Sequence, residues 1–130
     1  MRFEELVGKT IYKWSINNDN DILNLYATNG KVYSLYHDQD CYESVSIEDI
    51  NGDLDDLLDT PILMAEESSN DDSSGEYESA TWTFYRLATV KGYITIRWLG
   101  VSNGYYSESV SFSESDDISE YRDYKLNKLI

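Results

Sequence analysis

The chain has 130 residues, 25 acidic against 10 basic, a formal net charge of −15, and a 41% apolar composition that includes 12 tyrosines. This is room for one domain, residues 1–130, with enough apolar material to fold it, which excludes both a charged disordered tail and a pair of ordinary domains. A single cysteine, Cys41, excludes an internal disulfide; no apolar run approaches the roughly 18 residues of a membrane span, and the opening Met1-Arg2-Phe3-Glu4-Glu5 lacks a signal-type apolar core, so a cytoplasmic protein is expected.

Residues 3–7 read as a short helical turn ended by Gly8, and residues 9–16 as a strand rich in β-branched and aromatic side chains. After a polar turn at 17–21, residues 22–28 and 31–37 flank Asn29-Gly30, the preferred type I′ hairpin pair; a two-residue loop sets Thr28 against Lys31 and Leu23 against Tyr36. Residues 45–50 suit a further strand. The apolar positions 54, 57 and 58 suit a helical turn or two ended by Thr60-Pro61, and 62–65 a short strand. The polar run 66–79 is expected to be a mobile loop.

Residues 80–90, 93–102 and 105–113 read as strands joined by Lys91-Gly92 and Asn103-Gly104; the second Asn-Gly loop pairs Leu99 with Glu108 and brings Arg97 near Glu108. Acids at the start and lysines at the end of 116–128 predict a C-terminal helix. The expected fold is α+β, predominantly antiparallel sheet built on two Asn-Gly hairpins, with short helices. Trp14, Trp82 and Trp98 are expected in the core, and Tyr105 and Tyr106 are candidates for interface anchors.

The charge is segregated. Residues 32–85 hold 15 acids and no base, while the rest of the chain balances 10 acids against 10 bases. That pattern opposes direct nucleic-acid or anionic-membrane binding and fits a partner with a basic surface, solubility being the plainer reading. The candidate contact residues are Asp49, Asp53, Asp55, Asp56, Asp59, Glu66 and Glu67.

No nucleophile elbow, phosphate loop or His-Glu-x-x-His is present, and with so many acids an adjacent pair carries no information, so no enzyme is expected. The densest chemical grouping is His37-Asp38-Gln39-Asp40-Cys41-Tyr42-Glu43, which holds the sole histidine and sole cysteine among carboxylates. Imidazole, thiolate and carboxylate are ligands a tetrahedral zinc accepts; an extended segment aligns His37, Cys41 and Glu43, whereas a turn brings Asp40 round instead. The competing reading is a strand-end histidine beside a small buried cysteine. Calcium is disfavoured: after Asp49-x-Asn51-x-Asp53, Leu54 stands where a calcium loop needs Gly and Thr60 where it needs Glu.

Residues 36–41, 43–45, 47–50, 52–54 and 61–63, with Thr81-Trp82-Thr83-Phe84-Tyr85, residues 91–98 and residues 102–109, resemble a family of small acidic proteins encoded by phages and prophages of Gram-positive bacteria. Within that pattern the chain is similar to zinc-containing type II anti-CRISPR proteins. The resemblance implies a structural Zn²⁺ at His37, Asp40, Cys41 and Glu43, and a non-enzymatic inhibitor acting in the infected host's cytoplasm. Its partner is then a type II CRISPR nuclease, whose target-DNA loading it blocks. The alternative is a phage structural or accessory protein. The chain departs from the pattern at Tyr42 and near Asn51, where members often carry further cysteines. Duplex DNA carries one charge per about 1.7 Å, so 15 carboxylates match about 26 Å of duplex.

Overall fold

The structure, a computed structural model, describes residues 1–117. Eight strands run in chain order: β1 (Ile11–Ile16), β2 (Ile22–Ala27), β3 (Lys31–Tyr36), β4 (Ser44–Asn51), β5 (Met64–Asp71), β6 (Ser79–Thr89), β7 (Gly92–Ser102) and β8 (Ser111–Asp116). They form two antiparallel four-stranded sheets, ordered β1-β2-β3-β8 and β4-β7-β6-β5. The only helical elements among the described residues are the 3-10 turns Phe3–Leu6 and Leu54–Leu57.

Alternation on the pleat builds one core from both sheets. The first sheet contributes Ile11, Leu23, Leu25, Tyr33 and Leu35; the second contributes Val45, Tyr85, Leu87, Ile94, Ile96 and Trp98. Phe3, carried by the first 3-10 turn, bridges them: its ring lies 4.7 Å from Tyr85 on β6 and 5.4 Å from Phe112 on β8. The second 3-10 turn buries Leu54 and Leu57, with Leu58 bridged to Ile11 of β1. Trp98 is fully buried and Trp14 packs on the core, as expected, whereas Trp82 sits half-buried, opposite Leu99 on the outer face of the second sheet.

The first hairpin forms where Asn29-Gly30 placed it but in a different register. Leu23 faces Leu35 and Tyr26 faces Val32, one residue away from the two-residue expectation. Gly30 has φ +86° and Asn29 does not enter the left-handed region, so the turn is the three-residue kind, with the Gly30 amide donating to the Ala27 carbonyl at 3.3 Å. The shift is what the core demands: it sets Leu35 and Tyr33 opposite Leu23 and Leu25, where the two-residue loop would have put Tyr36 and Ser34.

Three further expectations are corrected. The polar run after Ala65 is strand to Asp71, paired without interruption to β6, so the connecting loop contracts to residues 72–78. Asn103-Gly104 does not make a hairpin: β7 ends at Ser102, residues 103–110 are irregular, and β8 pairs with β3 of the other sheet. Leu99 therefore faces Trp82 and Ser46 in place of Glu108, and Arg97 lies over the Trp82 ring at 5.0 Å. Asp116 ends β8, Asp117 follows it without helical structure, and residues 118–128 of the expected helix at 116–128 lie outside the described residues. The described architecture is thus a two-sheet β-structure without an α-helix.

What sends residues 103–110 across the sheet is visible at Gly100. A Cβ there would overlap the Glu108 carbonyl oxygen and stand 2.8 Å from Glu108 Cβ, so the crossing backbone lies directly on β7. Above it Glu108 accepts hydrogen bonds from Ser102 Oγ at 2.5 Å and Thr81 Oγ1 at 2.8 Å. Gly100→Ala is expected to cost about 2 to 3 kcal/mol, the scale of overpacking a tight contact, read as a lower urea midpoint. Parental stability would show that the segment does not cross there.

Candidate functional site

His37 follows β3 and its side chain is only 5% exposed. Its Nδ1 lies 2.7 Å from the Ser109 carbonyl oxygen and its Nε2 3.1 Å from Glu43 Oε2. The carbonyl can only accept, so Nδ1 carries a proton; Nε2 then meets a carboxylate that also accepts from the Asp40 amide at 3.1 Å and from Gln39 Nε2 at 3.1 Å. Burial pushes the Glu43 carboxyl upward, but the His37 bond and the amides of Asp40, Glu43 and Cys41 outweigh it and hold it below the ordinary carboxylate range.

These contacts do not fit the zinc site that the resemblance implies. Both His37 nitrogens face protein acceptors, Cys41 is exposed at the surface, and no group of three or more His, Cys, Asp or Glu side chains among the described residues is arranged to hold a metal. Asp40 reaches Glu43 through its backbone and its side chain is not drawn in. The loop 37–43 is pinned by the His37–Glu43 pair, which ties it to residues 103–110 through Ser109.

The seven candidate contact acids fall into three places. Asp49 lies on β4, one edge of the second sheet, and Glu66 and Glu67 on β5, the other edge. Three strand spacings separate those edges, about 14 Å. Asp53, Asp55, Asp56 and Asp59 surround the second 3-10 turn beside the β6–β7 hairpin, where the Asp56 carbonyl accepts from Thr89 Oγ1 at 2.6 Å. Asp53 caps that turn through the Asp55 amide, and Asp55 accepts from Trp14 Nε1 at 2.9 Å. Among the described residues none of the seven forms an ion pair. The two arginines of the second sheet are turned to aromatic rings: Arg97 to Trp82, and Arg86 to Phe84 at 5.3 Å.

Two hollows flank residues 103–110. On the inner side of β5 and β6 is a polar cleft of about 330 Å³, lined by Glu67, Ser69, Thr81, Thr83, Tyr106 and Glu108 among others. The core does not fill it because the inner face of the second sheet turns from apolar at Leu87 and Tyr85 to hydroxyl-bearing at Thr83 and Thr81. Glu67 accepts from Tyr85 OH at 2.9 Å; burial first, and then this carboxylate, push the Tyr85 phenol well above its ordinary value. Partial burial pushes Glu108 upward, and hydrogen bonds from Ser102, Ser79 and Thr81 outweigh it, holding the carboxyl below its ordinary range. The second hollow, about 540 Å³, lies between Tyr42, Tyr77, Glu76 and Glu78. Tyr42 and Tyr105 are 73% and 89% exposed, and Tyr42 meets Tyr106 edge-on at 5.9 Å.

A family model described as a domain of unknown function, DUF7448, matches residues 4–112, from the first 3-10 turn into β8. The chain belongs to the DUF7448 family. No curated protein and no solved structure matches it. For this DUF7448 protein the residues that sequence reasoning missed are Glu108, the hydroxyls beneath it, and Tyr42 and Tyr77. Only the tyrosine count hinted at the last two, and Glu108 became meaningful once the chain crossed Gly100. No helix among the described residues is long and apolar enough to cross a membrane.

Two outcomes follow from this geometry. A carboxyl whose folded pKa is depressed contributes stability above its unfolded value, about 4.5 for Glu108, that is lost as pH falls through the lower folded value. Glu108→Gln is therefore expected to flatten the acid limb of stability below that pH, measured by urea unfolding from pH 6 down to pH 3 (roughly that carboxylate window). An acid limb identical to the parent's would contradict the Glu108 contacts. Elemental analysis of protein purified without added metal is expected to find far less than one zinc per chain; stoichiometric zinc would mean that loop 37–43 rearranges to free His37.

Proposed function

We propose that this DUF7448 protein is a non-enzymatic binding protein whose unpaired acids engage a basic protein surface. We further propose that the surface belongs to a type II CRISPR nuclease, as the resemblance of its motifs implies. One observation carries the general reading. Of the 15 acids between residues 32 and 85, none pairs with a Lys or Arg among the described residues, and Glu43 alone has a basic side chain, His37, beside it. Structural carboxylates are ordinarily solvated singly or paired with nearby Lys and Arg; here the nearby arginines stack on rings, and the negative field is left for an external cation surface.

The distribution favours a broad contact. Acids on both edges of a sheet about 14 Å wide, and at one end of it, suit a concave or channel-like basic surface better than a single groove. RNA-guided nucleases hold guide and target strands in positively charged channels, so occupancy of such a channel excludes target DNA. Zinc plays no part in this reading. The non-enzymatic reading is supported by the sole histidine, whose ring nitrogens are both engaged, which leaves no base beside a nucleophile.

The deciding assay is target-DNA binding by guide-loaded type II nucleases from Gram-positive hosts, with and without the protein. Inhibition that weakens as salt rises is expected. Unchanged DNA loading across the panel would overturn the nuclease reading, and capture of virion components would favour the accessory role. The triple variant Asp53→Asn, Asp55→Asn, Asp59→Asn keeps the cap, the Trp14 acceptor and a residue tolerant of the φ of +64° at position 59. It is expected to slow association about tenfold at low salt with little change in stability.

A further inference from the structure

β5 is an edge strand of eight residues, and from Glu66 to its end every residue is exposed on both faces. Its ladder to β6 runs from Met64 to Asp71 without a bulge. Natural edges are usually short, bulged or covered, because the free side of the ladder offers unpaired N–H and C=O groups to any passing strand. Here the first 3-10 turn packs against β5, and among the described residues no strand pairs with its free side. The cleft opens along the inner face of this stretch, with Glu67 and Ser69 in its wall and Glu108 across it.

We propose that β5 is a strand-addition site for an extended, lysine- or arginine-bearing segment of a protein partner, whose inward side chains enter the cleft between Glu67 and Glu108. The occupant follows from charge. Glu66, Glu67 and Asp71 on the strand, with Asp72 beyond it, make addition of a second copy of this acidic chain repulsive, since like charges would face one another across the new ladder. The same carboxylates attract a basic strand. Main-chain hydrogen bonds supply the affinity and alternate side chains the selection, because residues at every second position share a face. The inner alternate positions meet two carboxylates and a wall of hydroxyls, with no described Lys or Arg in the cleft lining. A cationic side chain finds acceptors there that an acidic or apolar one would leave unpaired or desolvated.

This inference rests on the reading of the chain as a binder of basic protein surfaces, and its test separates the two. An eight-residue peptide of alternating Lys and Thr is titrated into the full-length, isotope-labelled protein, together with the same peptide N-methylated at alternate residues, which keeps the charge and removes donors. Amide shifts confined to residues 66–71 and the cleft lining are expected. N-methylation of the ladder-facing residues should weaken binding by more than about tenfold. Ser69→Lys, an exposed substitution that places a cation from β5 itself in the cleft, should abolish the effect, with the parental spectrum elsewhere showing that the variant folds. Binding that is equally strong after N-methylation at either set of positions, or shifts spread over Asp53 to Asp59, would overturn strand addition while leaving the acidic-surface reading intact. No binding by any of the peptides would overturn strand addition too, whatever the nuclease assay shows.

Discussion

The passage of residues 103–110 over Gly100 is the constraint on which the rest of the molecule depends. Because position 100 has no side chain, the Glu108 backbone can rest on β7 and the chain can leave the second sheet for the first. That exit makes β8 the neighbour of β3, which puts Phe112 parallel to Tyr33 at 6.1 Å and edge-on to Phe3. It also stations the Ser109 carbonyl where His37 can donate to it and Tyr106 where Tyr42 can meet it. The cleft is the space left beneath the crossing. One missing methyl group thus couples the core, the pinned loop and both hollows.

The electrostatic design follows from how a segregated sequence is wound onto a sheet. The 54-residue run without a base spans most of β3, all of β4 and β5 and the first part of β6, and its acids fall on the two edge strands of the second sheet, around the turn at its end, and in the loops between. Edges about 14 Å apart are separated by more than the roughly 8 Å Debye length at physiological ionic strength, so the acidic groups repel one another only weakly across the sheet. A partner that touches both edges meets each at close range. Separation therefore lowers the self-repulsion of the folded chain without lowering its attraction for a broad basic surface.

How much of this was legible depended on whether local sequence carried the decision. Strands β1 to β4, β6 and β7, and both short helical turns, announce themselves through β-branched and aromatic alternation or through 54/57/58 spacing, because each buries its own apolar face. β5 does not: Glu66-Glu67-Ser68-Ser69-Asn70-Asp71 has poor strand propensity and is held by backbone pairing to β6, a tertiary effect. The register of the first hairpin turned on whether Asn29 joins Gly30 at positive φ, which an Asn-Gly pair leaves open. The second Asn-Gly pair failed as a hairpin signal because Gly100, three residues earlier, admits a crossing that competes with it. At the candidate site, spacing grouped His37, Cys41 and Glu43 correctly as neighbours in sequence, but only the fold shows that Glu43 turns in and Cys41 turns out.

That inward turn explains how the loop after β3 holds its shape. His37 Nδ1 donates to the Ser109 carbonyl, and Nε2 lies 3.1 Å from Glu43 Oε2. The Asp40 amide and the Gln39 side chain donate to the same carboxylate, so Glu43 is held by three neighbours. The arrangement is self-consistent because Glu43 is nearly sealed from water, where a lone carboxylate without donors would be costly. It also fixes two loops to one another, and those loops carry Tyr42 and Tyr106. A surface that binds through rigid aromatic anchors gains from having them held before the partner arrives, since less side-chain freedom is lost on contact. The buried pair thus gives loop 37–43 the fixed geometry that a structural metal would otherwise have to impose.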